Sequence, residues 1–172
     1  MCVCVCVCVC VCVCVCVCVA GRYGDTNGLT SSGCTGPCLP GHACGPGSTV
    51  ANATRCSVGQ YSVGNAAQCT LCAAGQFGST TGLTTPACSG LCPLGRFGGS
   101  EGMPDGNCTG LCDAGYFCDA GSTSAKQGTC PAGRYSLQGS SQVGCLLARW
   151  TAVAVHLSVC HLFAHEVACR SH

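Results

Sequence analysis

The feature that most constrains this chain is a cysteine register that occurs twice. Cys92, Cys108, Cys112, Cys118 and Cys130 are separated by steps of 16, 4, 6 and 12 residues. Cys18, Cys34, Cys38, Cys44 and Cys56 show the same four steps, 74 residues earlier. Five cysteines held in one register at two places are an internal repeat, whose units are supersecondary elements too small to bury a core alone. Composition says what holds them. A length of 172 residues would accommodate one or two ordinary domains. With 24 Cys, 26 Gly and only 8% charged residues, however, the chain has the composition of a disulfide scaffold. The 48% hydrophobic share counts cysteine; Leu, Phe and Met are sparse between residues 21 and 145, and Ile is absent. Such a segment cannot bury an ordinary core and needs covalent staples.

A phrase Cys-x-x-Gly-x-aromatic recurs as CVAGRY from Cys18, CSVGQY from Cys56, CAAGQF from Cys72, CPLGRF from Cys92, CDAGYF from Cys112 and CPAGRY from Cys130. Glycine three residues after the cysteine predicts a tight turn with positive φ, or a close backbone approach. The aromatic is the only large hydrophobe in most repeats and is expected to be each repeat's small core. A second phrase, Cys-Thr/Ser-Gly-x-Cys, appears as CTGPC at 34–38, CSGLC at 88–92 and CTGLC at 108–112, each 16 residues after a phrase-opening cysteine. The polar segments between them, GDTNGLTSSG and GSTTGLTTPA, read as short hairpin arms and loops, with no helical apolar period. The expected fold is therefore small and disulfide-rich: tandem irregular or short β-hairpin cysteine-rich modules.

The cysteines from 18 to 145 are Cys18, Cys34, Cys38, Cys44, Cys56, Cys69, Cys72, Cys88, Cys92, Cys108, Cys112, Cys118, Cys130 and Cys145, an even count of 14 as a closed framework requires. Sequential pairing (18–34, 38–44, 56–69, 72–88, 92–108, 112–118, 130–145) gives each Cys-x-x-Gly phrase one closed loop and is preferred. Crossed pairing around 38, 44 and 56 stays open. A bridge closing a loop of about 15 residues contributes roughly 3 kcal/mol in the chain-entropy account, and several such bridges exceed what the sparse aromatics supply.

CPAGRY at 130–135, CAAGQF at 72–77 and CTGLCDAGYFC at 108–118 carry a resemblance. Residues 18–145 resemble the ephrin-receptor-like, GCC-type cysteine-rich repeats of the growth-factor-receptor cysteine-rich superfamily, and are similar to tumour-necrosis-factor-receptor repeats in the Cys-x-x-Gly-x-Tyr opening. The resemblance implies tandem disulfide-linked modules in secreted or cell-surface proteins, and offers no catalytic residue to carry over. The chain itself has no Ser-His-Asp set, paired carboxylates, His-Glu-x-x-His, phosphate loop or kinase signature, so no enzyme and no cofactor are expected. Two sequons, Asn52-Ala53-Thr54 and Asn107-Cys108-Thr109, fit an extracellular glycoprotein. Net charge near +1 with scattered Lys and Arg gives no footprint for nucleic acid. Cys69-x-x-Cys72 lacks the second close pair of a zinc ribbon, and His42 occupies the slot of Tyr116, a surface loop position.

The two ends differ from the array. Residues 1–17 are a low-complexity Cys-Val tract, preferentially read as a translated TGT-GTG microsatellite. Together with Cys18 and Val19 it makes 19 apolar residues, which also meet the length of a signal or anchor, and its thiols would suit soft metals. Cys18 belongs to the array. Residues 146–172 hold the only Trp, four of the five His and no Gly or Pro. This tail suits a C-terminal helix, with His161, His165 and Cys169 on one face, or a short membrane span; the preferred reading is sequence past an exon end. The expected function is that of a fragment of an extracellular repeat protein, a structural spacer or interaction module. Its partner would be a protein or glycan, and any membrane association would come through a parent protein or an end segment. The rival is an intracellular thiol-rich metal-binding protein.

Overall fold

The computed structural model describes residues 17–26, 29 and 34–147. The Cys-Val tract up to residue 16 and the tail from residue 148, with the signal or anchor, thiol-metal, helix and membrane-span expectations placed there, lie outside the described residues. Within them the chain folds into seven antiparallel two-stranded hairpins in sequence order. Hairpin 1 pairs β1 (Arg22–Tyr23) with β2 (Gly36–Pro37), and hairpin 2 pairs β3 (His42–Ala43) with β4 (Thr54–Arg55). Hairpin 3 pairs β5 (Gln60–Tyr61) with β6 (Thr70–Leu71), and hairpin 4 pairs β7 (Gln76–Phe77) with β8 (Gly90–Leu91). Hairpin 5 pairs β9 (Arg96–Phe97) with β10 (Gly110–Leu111), and hairpin 6 pairs β11 (Tyr116–Phe117) with β12 (Gly128–Thr129). Hairpin 7 pairs β13 (Arg134–Tyr135) with β14 (Leu146–Leu147), reached through a single turn of 3-10 helix at Gln142–Gly144.

Each hairpin begins with the Cys-x-x-Gly phrase, and the first cysteine of the next follows directly after its second strand. The 74-residue period of the sequence is therefore four hairpins, so that hairpins 1, 2 and 3 recur as 5, 6 and 7. The first strand is the x-aromatic pair of the phrase. The segments at 24–33 and 78–87 carry neither strand of a hairpin where they are described; Leu83 makes only an isolated bridge to Tyr61. The array also runs past Cys145, since Leu146–Leu147 supply the last strand.

Cystine is the core. The buried hydrophobic residues are nine cysteines and Ala43. The aromatics expected to form the core are instead half-buried at Tyr23, Tyr61, Phe77, Phe97 and Phe117, and Tyr135 is 47% exposed. Tyr23, Phe77, Phe97 and Phe117 each pair with a glycine across the ladder (Gly36, Gly90, Gly110 and Gly128); the rings of Tyr23, Phe97 and Phe117 lie beside Gly36, Gly110 and Gly128, and that of Phe77 beside Gly106. A glycine there leaves room for the ring to cover backbone, as aromatic rescue of strand glycines does elsewhere.

Backbone hydrogen bonds join each hairpin to the next in one recurring pattern. Between hairpins 4 and 5, the Gly75 amide donates to the Gly98 carbonyl (2.9 Å), and the Gly78 amide to that of Met103 (2.9 Å). In return the Cys92 amide donates to the Gly75 carbonyl (2.8 Å), and the Gly102 amide to that of Cys72 (2.8 Å). The same four bonds, at equivalent positions, occur at all six joints. In the first joint they are Gly21 to Cys44, Gly24 to Ser48, Cys38 to Gly21 and Gly47 to Cys18. In the last they are Gly115 to Ser136, Cys118 to Ser140, Cys130 to Gly115 and Gly139 to Cys112. The hairpins thus form a stack in which backbone polar groups are satisfied by the neighbouring repeat.

Candidate interaction surface and modification sites

The phrase glycine is the residue on which the stack turns. A hydrogen bond from the Gln76 amide to the Ala73 carbonyl (3.0 Å) closes a β-turn with Gly75 at its third position, and the equivalent bond occurs in all seven hairpins. The seven glycines have φ between 75° and 87°, as the third position of a type II turn requires. They also make a second contact. A Cβ added at Gly21, Gly41, Gly59, Gly75 or Gly95 would come within 3.0 Å of the carbonyl oxygen of Asn65, Gly82, Gly102, Gly121 or Gly139, respectively. Each of those carbonyls belongs to the hairpin two further along. Turn conformation and close approach, offered by the sequence as alternatives, act together at one atom.

The Cys-Thr/Ser-Gly phrase has an equally local cause. The amides of Thr35, Ser89 and Thr109 donate to the carbonyls of Tyr23, Phe77 and Phe97 (2.9–3.0 Å). Their hydroxyl oxygens accept the amides of Asp25, Ser79 and Gly99 at 2.8–3.1 Å, tying the return strand to the departing loop. The preceding cysteines, Cys34, Cys88 and Cys108, sit at φ of 51–54°. This is left-handed backbone that a non-glycine residue holds only where its surroundings fix it. Here a disulfide on one side and the Thr or Ser pair on the other do so.

All fourteen candidate cysteines are bridged: Cys18–Cys34, Cys38–Cys44, Cys56–Cys69, Cys72–Cys88, Cys92–Cys108, Cys112–Cys118 and Cys130–Cys145, with Cα atoms 5.6–6.1 Å apart. Five bridges link a phrase-opening cysteine to the start of the return strand. The other two stay inside the turn, because in hairpins 2 and 6 Cys44 and Cys118 occupy the small-residue position after the first strand. Sequence reasoning passed over one repeat, CLPGHA from Cys38, because Ala43 stands in its aromatic slot; the glycine three residues after the cysteine was the available signal. His42 lies in β3 of that hairpin, its Nδ1 3.2 Å from the Pro40 carbonyl oxygen. Among the described residues no three His, Cys, Asp or Glu side chains come together to hold a metal ion, and no helix is long and apolar enough to cross a membrane.

The two sequon asparagines are both exposed but differently held. Asn52 lies between β3 and β4, and Thr54 opens β4 with its side chain outward. At Asn107 the amide donates to Asp105 Oδ1 (2.7 Å), the carbonyl accepts from Arg96 Nη1 (3.0 Å), and the middle residue is bridged to Cys92. Its Thr109 hydroxyl is the acceptor for the Gly99 amide. The exposed surface otherwise consists of turn tips, with Val19, Leu39, Val58 and Leu94 outward, and of loops between strands. Leu71, Leu91 and Leu111, 41–53% exposed, cover the loop glycines Gly102, Gly121 and Gly139 two hairpins on.

Neither a protein-family model nor a curated protein matches the chain.

Proposed function

We propose that this chain is part of an extracellular cysteine-rich repeat array that serves as a spacer and presents its loops to a protein or glycan partner, in the manner of ephrin-receptor-like modules. Seven disulfides in the described residues suit a secreted or extracellular, oxidising compartment. The observation that carries the spacer reading is the recurrence of one four-bond joint at six places. Elements related by one repeated joint stack into an array whose length is set by repeat number, and whose loops stand on a fixed backbone. Of the two sequons, Asn52 is the acceptor this reading selects, because glycosylation at Asn107 competes with a bridge and three hydrogen bonds.

The test is intact mass with and without alkylation, in the absence of reductant, on the full chain expressed through a secretory pathway and mapped by peptide. Residues 18–145 are expected to take up no alkylating agent and to carry one N-glycan, lost with Asn52→Gln. Alkylated cysteines throughout that span, or a retained metal ion, would overturn the extracellular reading and favour the intracellular thiol-rich one.

A further inference from the structure

We infer that the bond between Lys126 and Gln127 is a processing site for an endopeptidase of basic specificity, and that one cut there severs the array into two covalently separate pieces. The inference rests on the bridge pairing and stands apart from the spacer reading. Because the bridges are sequential, a cut between the two cysteines of one bridge leaves the halves joined by that bridge. Among the described residues only the segments between bridges are unspanned. Four of these, 35–37, 70–71, 89–91 and 109–111, are short, hold no Lys or Arg, and carry second strands. The other two, 45–55 and 119–129, belong to hairpins 2 and 6, whose short bridges stay inside the turn and leave the loop between the strands unstapled. These are the two long stretches where one broken peptide bond interrupts covalent continuity.

The Lys and Arg of the described residues are placed unequally about those gaps. Arg22, Arg96 and Arg134 lie inside bridged loops and in first strands. Arg96 and Arg134 donate from Nη1 to the carbonyls of Asn107 (3.0 Å) and Cys145 (3.1 Å). Arg55 lies in a gap but is held there. It pairs with His42 in the ladder, its Nη2 donates to the Thr81 carbonyl (3.3 Å), and the bond after it leads into the bridged Cys56. Lys126, the chain's one lysine, lies in the loop between β11 and β12 with its side chain 61% exposed. That side chain meets Asp113 at 4.0 Å and the Tyr116 ring at 5.7 Å, surface contacts of a kind that hold a side chain weakly. Across residues 123–127 the one backbone–backbone hydrogen bond among the described residues runs from the Asp113 amide to the Ala125 carbonyl (3.0 Å). The Thr123 and Lys126 amides donate to side chains within the loop. An endopeptidase needs several residues drawn out as an extended strand, and an exposed segment so loosely tied opens readily. An enzyme with a carboxylate at the floor of its specificity pocket accepts a lysine there. Water then adds across the amide, leaving a carboxylate on Lys126 and an ammonium on Gln127. Hairpin 7 is thereafter held to hairpins 1–6 by non-covalent contacts alone among the described residues.

The test is a time course of limited digestion of the full, oxidised, secreted chain with trypsin, a serine endopeptidase that cuts after Lys and Arg. It is read by intact mass and by denaturing gel without reductant, and alkylation beforehand reads the bridges independently. Within residues 18–147 the first cut is expected after Lys126, and its two products are expected to part without reductant. Lys126→Gln is expected to lose that severance while keeping every bridge. A Thr80→Lys/Lys126→Gln variant moves the lysine to an exposed position inside the Cys72–Cys88 loop. It is expected to be cut after position 80, to run as one species, and to split only on reduction. No cut at Lys126, a first cut at one of the four arginines, or a severance that Lys126→Gln leaves undiminished would overturn the processing site. Products of the Lys126 cut that stay joined without reductant would overturn the severance.

Discussion

At the scale of the residue, one glycine position combines two demands that are usually separate, and the chain contains the controls needed to part them. Gly75 and Gly133 have nearly the same backbone, with φ of 79° and 76°. A methyl at Gly75 would run into the carbonyl of Gly121, whereas at Gly133 it would point into open space. Alanine in left-handed backbone costs about 1–2 kcal/mol through its own sterics. Gly133→Ala is therefore expected to lose about that much stability by denaturant titration and to keep every bridge. Gly75→Ala is expected to lose at least twice as much, or to be secreted with unpaired thiols, because a packed backbone carbonyl cannot step aside as a side chain can. Equal losses at the two sites would mean that the contact between alternate hairpins contributes nothing.

At the scale of the element, a hairpin of two-residue strands is not stable by itself, so each depends on its bridge and its neighbours. In a stack coupled mainly to adjacent and alternate members, damage stays local at an end and spreads from the middle. A Cys130→Ser/Cys145→Ser variant is expected to speed hydrogen exchange across hairpin 7 and at the Gly115 and Cys118 amides, which donate into it. Hairpins 1–4 should stay protected. Cys72→Ser/Cys88→Ser is expected to raise exchange on both sides, at Gly59 and Ser62 as well as at Cys92 and Gly102, since hairpin 4 enters two joints. The units themselves were legible in the sequence, because the same local chemistry generates each one. A glycine three after a cysteine specifies the turn, and Thr or Ser after the second cysteine specifies the return, so hairpin modules followed from spacing. Hairpin 2 was not legible from an aromatic pattern, because Ala43 replaces the ring and an internal bridge replaces the long one. The last strand was not legible either: Leu146 and Leu147 are exposed and carry no strand signal of their own, being placed only by pairing with Tyr135 and Arg134. Hidden most completely were the joints, which are made of backbone groups and leave almost no trace in side-chain identity beyond the glycines.

At the scale of the whole molecule, the distribution of burial decides what keeps the described residues folded. Apart from cysteine, Ala43 is the one buried hydrophobic residue among them, and many large apolar side chains are exposed, Leu39, Leu94, Leu137 and Leu147 by 50% or more. Burial of that kind cannot offset the conformational entropy of ordering well over a hundred residues, and joints built from neutral backbone hydrogen bonds add only about 0.5–1.5 kcal/mol apiece in net terms. The bridges must supply the difference, each closing a short loop whose unfolded freedom is worth about 2–4 kcal/mol. Reduction is therefore expected to unfold residues 18–145 without denaturant. With a phosphine reductant at neutral pH, the hydrodynamic radius should rise toward that of an unstructured chain and the joint amides should lose protection together with thiol release. A domain held by an apolar core would keep its dimensions under the same treatment. Retained compactness at full reduction would show that the stack, rather than the cystine framework, is the source of stability, and would reverse the order of causes: the bridges would then record a fold that the backbone joints had already chosen.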